Sequence, residues 1–313
     1  MTLPRCSAGT DLPACKTPSA STIVPEFLSG LRQCAARYDG FLIDLWGVLH
    51  DGATPYNGAA DALRQLRDAG KKIALVSNSS DATAIAAARL LLETGFGAEL
   101  YDVLITSGGL VGTALRDDPA LWLPRRRGRI FMIGAASLAM QYDDSELELV
   151  TEPKQAGLIL NGWYGDAVEE CAAWRDDMRH WIGLGLPMVC MNPDIDVVHL
   201  GGRNACPGAF AAEYEKLGGK VHYYGKPHVP AYRAAVAALQ VPPEARLAMI
   251  GDNMLTDIKG GINFGIDTIL IAGGVHREFL GQNWGALPSP EKLTALCAAH
   301  GYAPTAVLGR LVY

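Results

Sequence analysis

Two hydrophobic patterns alternate along this chain. Continuous apolar runs, most of which end on a polar residue, occur at residues 41–44, 73–77, 103–107, 247–252 and 268–271. Such runs are typical of parallel strands that are buried on both faces. Between them lie apolar residues at helical spacing, for example between Asn57 and Gly70, two residues suited to begin and end a helix. The alternation predicts an α/β fold with a doubly wound parallel sheet.

The middle of the chain interrupts this alternation. Residues 108–207 contain further strand patterns and a long helical pattern, enough for an inserted α/β domain. We therefore predict a discontinuous core domain, residues 25–107 and 208–313, whose sheet resumes near Val221. Residues 1–24 are rich in Ser, Thr, Pro and Ala, which predicts a disordered or loosely packed N-terminal segment.

Composition and charge narrow the class of protein. The 313 residues carry a formal net charge of −6, which argues against nucleic acid or an anionic membrane surface as the partner. No apolar run is long enough to span a bilayer. The seven cysteines form no C-x-x-C pair, a usage typical of free thiols in a reducing compartment. These features predict a cytoplasmic protein without a membrane or nucleic-acid partner.

Polar residues stand where the predicted strands end. Asp44, Ser77 and Asp252 each follow a different apolar run. Because ligands bind at the carboxyl ends of the strands in such sheets, these residues mark one candidate site. Asp252 lies in "GDNMLTDIKGG", where Asp257 follows near the start of a helix. A carboxylate cluster without His or Cys partners favours Mg²⁺, although Asp252 alone could also serve as a helix N-cap.

Two further segments could bind an anion. The segment "VSNSS" places Ser77, Asn78 and Ser79 between a strand and a helix, where hydroxyls and unpaired backbone N–H groups can hold a phosphate. Ordinary helix capping is the alternative. The segment "GKPH" places Lys226 in a loop before a proline. This lysine could neutralise a phosphate and a carboxylate together, and exposure to solvent is the alternative.

These segments, in this order, resemble the haloacid dehalogenase superfamily of phosphotransferases. The residues that match its four motifs are, in order, Asp44, Ser77, Lys226, and the pair Asp252 and Asp257. The insert, with "NPD" at residues 192–194, is similar to the α/β cap of class IIA, the NagD-like and 4-nitrophenylphosphatase-like branch. The resemblance implies a Rossmannoid core with a cap domain. It also implies a Mg²⁺-dependent phosphoric monoester hydrolase that acts on a small phosphorylated metabolite, such as a sugar phosphate or an aryl phosphate.

The resemblance also implies a role for each site residue. Asp44 would be the nucleophile that forms an aspartyl-phosphate. The Mg²⁺ ion would be bound by the carboxylates of Asp44 and Asp252, by the backbone carbonyl of Trp46 and, through water, by Asp257. The transferring phosphoryl group would be held by Ser77, Asn78, Ser79 and Lys226. Phosphoryl transfer needs positioning and charge neutralisation of this kind more than it needs covalent chemistry.

Trp46 departs from the family pattern, which has an aspartate here that protonates the leaving group and later activates water. The indole N–H is a donor without useful acidity. General acid–base assistance is worth about 10²–10⁴-fold in rate, so we expect slow turnover. His50 or Asp51 could replace the missing acid. Otherwise the substrate has a good leaving group, the chain is a hydrolytic dehalogenase, or it is a catalytically impaired ligand-binding or regulatory protein. The metal-binding carboxylates and the large cap speak against the dehalogenase.

Substrate specificity is expected to lie in the cap. The polar residues that follow a cap strand and could face the cleft are Asn192, Asp194, His199 and Arg203. For Arg203 a surface salt bridge is the alternative. Four aromatic residues of the cap could form a homodimer contact or pack inside the cap: Trp163, Tyr164, Trp174 and Trp181.

Overall fold

The computed structural model describes residues 24–142, 146–199, 202–281 and 283–313, without the side chains of residues 198, 199, 202 and 203. The N-terminal segment predicted to be disordered lies outside the described residues, apart from Val24. The same holds for the side chains of His199 and Arg203, two of the predicted cleft residues.

Strands and helices alternate through most of the described chain. The strands are β1 (Glu26–Leu28), β2 (Gly40–Ile43), β3 (Lys72–Ser77), β4 (Val103–Thr106), β5 (Arg129–Gly134), β6 (Glu148–Val150), β7 (Leu158–Gly162), β8 (Met188–Cys190), β9 (Asp196–His199), β10 (Gly202–Ala205), β11 (Val221–Tyr223), β12 (Leu247–Gly251), β13 (Asp267–Ile271) and β14 (Ala306–Leu308). The α-helices are α1 (Ala59–Asp68), α2 (Thr83–Thr94), α3 (Ser107–Asp117), α4 (Ser137–Met140), α5 (Arg175–Gly183), α6 (Pro207–Lys216), α7 (Val229–Leu239), α8 (Lys259–Phe264), α9 (Arg277–Leu280) and α10 (Pro290–His300). The predicted α/β fold is confirmed.

The first sheet has seven strands in the order β1-β14-β13-β12-β2-β3-β4, and all neighbouring strands are parallel. Successive residues of β2 face opposite sides of the sheet. Phe41 and Ile43 join an apolar cluster that includes α1, while Leu42 joins a second cluster that includes α7. Burial on both faces explains the continuous apolar run. Since β2 lies between β12 and β3, the residues that follow these three strands meet at one edge.

The second sheet has five parallel strands in the order β11-β8-β7-β5-β6. Leu158 and Leu160 of β7 face the cluster that contains residues of α3, whereas Ile159 faces the cluster that contains Phe210 of α6. The antiparallel hairpin of β9 and β10 follows β8 in the chain. Arg203 lies on β10, where its backbone pairs with residue 198.

The prediction that the core sheet resumes near Val221 is wrong. Val221 pairs with Met188 of β8, so β11 is the edge strand of the five-stranded sheet. The preceding helix, α6, packs on this same sheet through Phe210 and Tyr214, and the chain returns to the seven-stranded sheet only at β12. The domain limits at residues 108 and 207 stay a prediction. We propose that the inserted domain comprises the whole five-stranded sheet and therefore extends through β11.

The aromatic residues of the cap lie mostly inside it. Trp163 and Trp181 are buried in the cluster around Phe210, and Trp174 packs against that cluster. Tyr164 is 47 % exposed. Most of the aromatic residues predicted for a dimer contact are therefore used for packing inside the cap. Among the described residues, the structure contains no helix with the length and apolar character needed to cross a membrane.

Candidate active site

Asp44 follows β2 and lies at the centre of the seven-stranded sheet. Its N–H donates to the carbonyl oxygen of Ile250 on the neighbouring strand β12 (2.9 Å). Its carboxylate atom Oδ1 accepts a hydrogen bond from the N–H of Leu45 (2.7 Å). The residue is only 9 % exposed. Strand pairing and burial thus hold the predicted nucleophile at the carboxyl edge of the sheet.

Asp252 and Asp257 approach Asp44 from the segment after β12. Asp257 is fully buried on a turn of π-helix, Met254–Ile258, and its Oδ2 accepts from the N–H of Asn253 (3.1 Å). The Oδ1 of Asn253 accepts from the N–H of Leu255 (2.8 Å) and caps that turn. The helix-cap alternative considered for Asp252 is therefore wrong, because Asn253 is the capping residue.

The Asp252 carboxylate is enclosed by two loops. Its Oδ2 accepts from the N–H of Val275 (2.7 Å), in the loop after β13. A Cβ on Gly47 or on Gly274 would collide with this same oxygen, and Gly47 has a positive φ of 75°. Glycine is therefore required where these loops approach the carboxylate. Gly274 and Val275 were not predicted as site residues, although both come after an apolar run, the one at residues 268–271.

Lys226 joins two of the carboxylates. Its Nζ lies 2.6 Å from Asp44 Oδ1 and 2.8 Å from Asp257 Oδ1, and its side chain is 2 % exposed. The alternative that Lys226 is exposed is therefore wrong. Its N–H donates to Asn78 Oδ1 (2.7 Å) and its carbonyl oxygen accepts from Asn78 Nδ2 (2.9 Å). The peptide bond between Lys226 and Pro227 is cis.

The charges of this cluster do not balance. Carboxylate oxygens of Asp44, Asp252 and Asp257 lie within 4.8 Å of one another, and Lys226 is the cation in contact with them. Burial raises the pKa of each carboxyl group, and the charge of Asp44 raises the pKa of the other two further. Burial favours neutral Lys226, but Asp257 and Asp44 outweigh it and raise the pKa of the ammonium.

The surplus of negative charge fits a divalent cation. Three ionised carboxylates and one ammonium leave a net charge of −2 in a buried site, which is costly unless a cation compensates it. Apart from its contact with Lys226, the buried Asp257 Oδ1 has no polar partner among the described residues. An all-oxygen donor set suits a hard ion such as Mg²⁺.

Trp46 is held against the apolar core rather than projecting freely. Its ring packs against the cluster that includes α1 and makes an edge-on contact with the His50 ring, with 5.6 Å between centroids. A Cβ on Gly52 would collide with the indole. The tryptophan therefore occupies a shaped space beside the turn that follows Asp44. The predicted use of its backbone carbonyl as a metal ligand stays a prediction.

The two residues suggested as replacement acids are differently placed. Asp51 is exposed, and its Oδ1 accepts from the N–H groups of Ala53 (3.0 Å) and Thr54 (2.7 Å), which lower its pKa. Asp51 therefore caps its own loop and stays ionised, so it carries no proton to donate. His50 is buried, and its Nδ1 accepts from the N–H of Gly52 (3.0 Å). Burial lowers the pKa of His50, so the ring is neutral with its proton on Nε2.

The predicted phosphate segment lies at the end of β3. Ser77 Oγ accepts from the N–H of Ser79 (3.1 Å), and Ser79 Oγ accepts from the N–H of Asp81 (3.1 Å). Helix α2 begins only at Thr83 and has no side-chain cap, so the capping alternative is wrong. The side-chain amide of Asn78 is hydrogen-bonded to both backbone groups of Lys226 and to Asp194. It is therefore not presented to a phosphate.

The cap meets the core at the same place. Asn78 Nδ2 donates to Oδ1 of Asp194 (2.9 Å), and the N–H of Asp194 donates to Oδ1 of Asn192 (2.8 Å). Tyr164, after β7, shares a hydrogen bond between its hydroxyl and Ser80 Oγ (3.0 Å). The structure thus brings Asn192 and Asp194 to the core site. Tyr164 was expected either to form a dimer contact or to pack inside the cap, and its place at this site was not predicted, although it follows an apolar strand.

Comparisons with known proteins show which family the chain is similar to. Residues 41–148 match the family model described as haloacid dehalogenase-like hydrolase, and residues 223–305 match a second model of HAD-like hydrolases. A solved structure of a hydrolase of the haloacid dehalogenase-like family from Brucella suis 1330 is 34 % identical. The match has a TM-score of 0.74 and covers 91 % of this chain and 100 % of that one.

Two curated relatives are bacterial phosphatases by name. The ribonucleotide monophosphatase NagD from Escherichia coli (strain K12) is 28 % identical, over 75 % of this chain and 87 % of NagD. The acid sugar phosphatase from Staphylococcus haemolyticus (strain JCSC1435) is 27 % identical, and the match covers 76 % of this chain and 86 % of the phosphatase. The predicted enzyme class, a phosphoric monoester hydrolase, is confirmed. The chain therefore belongs to the haloacid dehalogenase-like hydrolase family, and within it to the NagD-like class IIA.

Proposed function

We propose that this chain is a Mg²⁺-dependent phosphatase that hydrolyses a small phosphorylated metabolite through an aspartyl-phosphate on Asp44. The observation that carries the proposal is the buried cluster of three carboxylates around Lys226. A nucleophilic carboxylate, a cation-binding pair and a buried ammonium in contact are the parts that phosphoryl transfer requires. A simple structural role would not explain three carboxyl groups buried around one ammonium.

Asp44 and Asp252 would bind the metal ion, together with the backbone carbonyl of Trp46 and, through water, Asp257. The bound ion would neutralise charge on these carboxylates and on the phosphoryl oxygens. Lys226 contacts the carboxylate of Asp44 directly, so the repulsion between this nucleophile and an approaching phosphate dianion is reduced. Asp257 holds the Lys226 ammonium from the other side.

The phosphoryl group would lie against the end of β3. The hydroxyls of Ser77 and Ser79 and the ammonium of Lys226 are the donors proposed for its oxygens. Asn78 has a different role in this proposal, because its amide is bonded to both backbone groups of Lys226 and to Asp194. It positions the lysine and does not bind the phosphate through its side chain.

The substrate class is proposed from the cap and from the names of the relatives. Nucleoside monophosphates and sugar phosphates are the substrates that the names of NagD and the acid sugar phosphatase suggest. Aryl phosphates are included because their good leaving groups depart without a proton, so they do not need an acid at position 46. Asn192, Asp194 and Tyr164 line the cap side of the contact with the core, where they could meet the part of the substrate beyond the phosphate.

Phosphate release tests this function. Wild type, Asp44→Asn and Trp46→Asp are assayed with Mg²⁺ on 4-nitrophenyl phosphate and on a panel of nucleotides and sugar phosphates. We expect activity in the wild type, none in Asp44→Asn, and a gain on alkyl phosphates in Trp46→Asp. Trapping of beryllofluoride on Asp44 would report the nucleophile independently of turnover. A wild type that equals Asp44→Asn on every substrate would leave the ligand-binding alternative.

Two further parts of the proposal concern the state of the protein in the cell. A cytoplasmic location is proposed because the described cysteines are all free: Cys34, Cys171, Cys190, Cys206 and Cys297. A homodimer through the cap is proposed with Tyr164 as the exposed cap aromatic that remains. Light scattering of the wild type measures the oligomeric state directly.

A further inference from the structure

The acid that Trp46 cannot supply has a candidate on the cap. We propose that Asp194, delivered by the loop after β8, is the general acid and base of this enzyme in place of residue 46. This inference rests on the proposed phosphatase function.

The position of Asp194 is determined by the core as well as by the cap. On the cap side, its N–H donates to Asn192 Oδ1 (2.8 Å) and its carbonyl oxygen accepts from the N–H of Gly208 (3.1 Å). On the core side, its Oδ1 accepts from Asn78 Nδ2 (2.9 Å). Asn78 in turn holds the backbone of Lys226, whose ammonium contacts Asp44. Asn78 and the side chain of Lys226 therefore link the cap carboxyl to the nucleophile.

One oxygen of Asp194 remains available for a proton. Oδ1 is occupied by Asn78, while Oδ2 has no hydrogen-bond partner within the described part of the chain. The loop packs closely on the core at this point, since a Cβ on Gly225, beside Lys226, would collide with Pro193. Asp194 is thus held at the contact between cap and core with one free carboxyl oxygen.

The surroundings of Asp194 favour a carboxyl that exchanges protons near neutral pH. Burial raises its pKa to about 6, the hydrogen bond from Asn78 and the charge of Lys226 oppose this, and the charges of Asp257 and Asp196 add to it. The charge of Asp194 also raises the pKa of Asp44, so the two carboxyl groups interact. An acid–base catalyst works best when its pKa lies near the working pH.

The reaction then has a complete path for its protons. In the first step Asp44 attacks phosphorus, the bond from phosphorus to the leaving oxygen breaks, and the protonated carboxyl of Asp194 gives its proton to that oxygen. In the second step a water attacks the aspartyl-phosphate, its proton passes to the Asp194 carboxylate, and the bond from phosphorus to Asp44 breaks. Inorganic phosphate and the alcohol leave, and both aspartates return to their initial states.

Dependence on the leaving group tests this role. Asp194→Asn keeps an oxygen that can accept from Asn78 but cannot donate an acidic proton. With Mg²⁺ present, we expect kcat on phenyl phosphate and on alkyl phosphates to fall by about 10²–10⁴-fold. The fall on 4-nitrophenyl phosphate should be much smaller, because its leaving group departs without a proton. Asp176→Asn, the same change at an exposed ion pair with Arg179 on α5, is the control and should leave both rates unchanged.

A second substitution separates chemistry from positioning. Trp46→Asp, added to Asp194→Asn, returns an acid to the usual position and should restore the lost rate on poor leaving groups. The proposal is overturned if Asp194→Asn is as active as wild type, or if it slows all substrates equally and Trp46→Asp restores nothing. Failure of the phosphatase function itself would look different, because wild type would then equal Asp44→Asn.

Discussion

The two parallel sheets present very different chemistry at their carboxyl edges. The edge of the seven-stranded sheet carries Asp44 and Asp252, which meet Lys226 and are almost fully buried. The edge of the five-stranded sheet carries Tyr164 and Asn192, and its carboxylate, Asp194, is bonded to an amide. At both edges the polar residues lie where parallel strands end, which is where ligands bind in such sheets.

This difference in charge indicates that the two edges have different roles in the reaction. The core edge has surplus charge and needs a cation and a phosphate to balance it, so it is suited to the chemical step. The cap edge carries one carboxylate, Asp194, and meets the core through single hydrogen bonds, each worth about 1 kcal/mol. Substitutions at the core edge should therefore have large effects, and those at the cap edge small ones, with Asp194 as the exception that we propose.

The largest effect is expected from Asp44→Asn. Loss of the nucleophile should reduce kcat by about 10⁴-fold or more on every substrate. Asp39→Asn is the control, because Asp39 precedes the same strand at its amino end and accepts from the N–H of Arg246. Phosphate release is measured for both variants. If Asp39→Asn lowers the rate more than Asp44→Asn does, the chemical step does not depend on the carboxyl edge of the seven-stranded sheet.

Lys226→Met should have the next largest effect. In metal-free protein it leaves three buried carboxylates without their cation, so the free energy of unfolding should fall by about 3–5 kcal/mol. Lys72→Met is the matched control, since Lys72 is half-exposed and pairs with Asp102 at 3.3 Å, a surface pair worth about 0–1 kcal/mol. Urea unfolding compares the two, and equal losses would contradict a charged, buried core edge.

Removal of the metal should come third. With Mg²⁺ at about one hundred times its dissociation constant, wild type should gain about 2.7 kcal/mol in unfolding free energy relative to protein in EDTA. Asp252→Asn should lose most of this gain, whereas Asp61→Asn, a change at the exposed ion pair with Arg64, should keep it. Thermal unfolding with and without Mg²⁺ is the measurement. The metal assignment is wrong if Asp252→Asn is still stabilised as much as wild type.

The smallest effect is expected at the cap edge. Tyr164→Phe removes the hydroxyl that bonds Ser80, worth about 1 kcal/mol, so KM should rise roughly five-fold while kcat changes less. Tyr223→Phe is the control, because the Tyr223 hydroxyl bonds Glu215, a residue of α6 on the cap. Steady-state kinetics on one sugar phosphate separates the two variants, and a larger effect on kcat than on KM would assign Tyr164 to the chemical step.

Much of the core edge could be predicted from local pattern. Asp44, Ser77 and Asp252 each end a continuous apolar run, and parallel strands buried on both faces must bring such residues to one edge. Lys226 could be named because its segment comes in the right order, but its burial could not, since a lysine before a proline is usually exposed. The strand β11 was assigned to the wrong sheet, because three residues carry no signal of the partner that they pair with.

The sequence by itself determined the α/β class, the order of the motif residues and the absence of an aspartate at position 46. These are properties of hydrophobic period and residue type, which act along the chain. Only the tertiary structure decided that Asn78 binds Lys226 and Asp194, and that a cap carboxyl lies at the core site. Hydrogen bonds between residues more than a hundred positions apart depend on how the sheets and loops pack, and no local pattern encodes them.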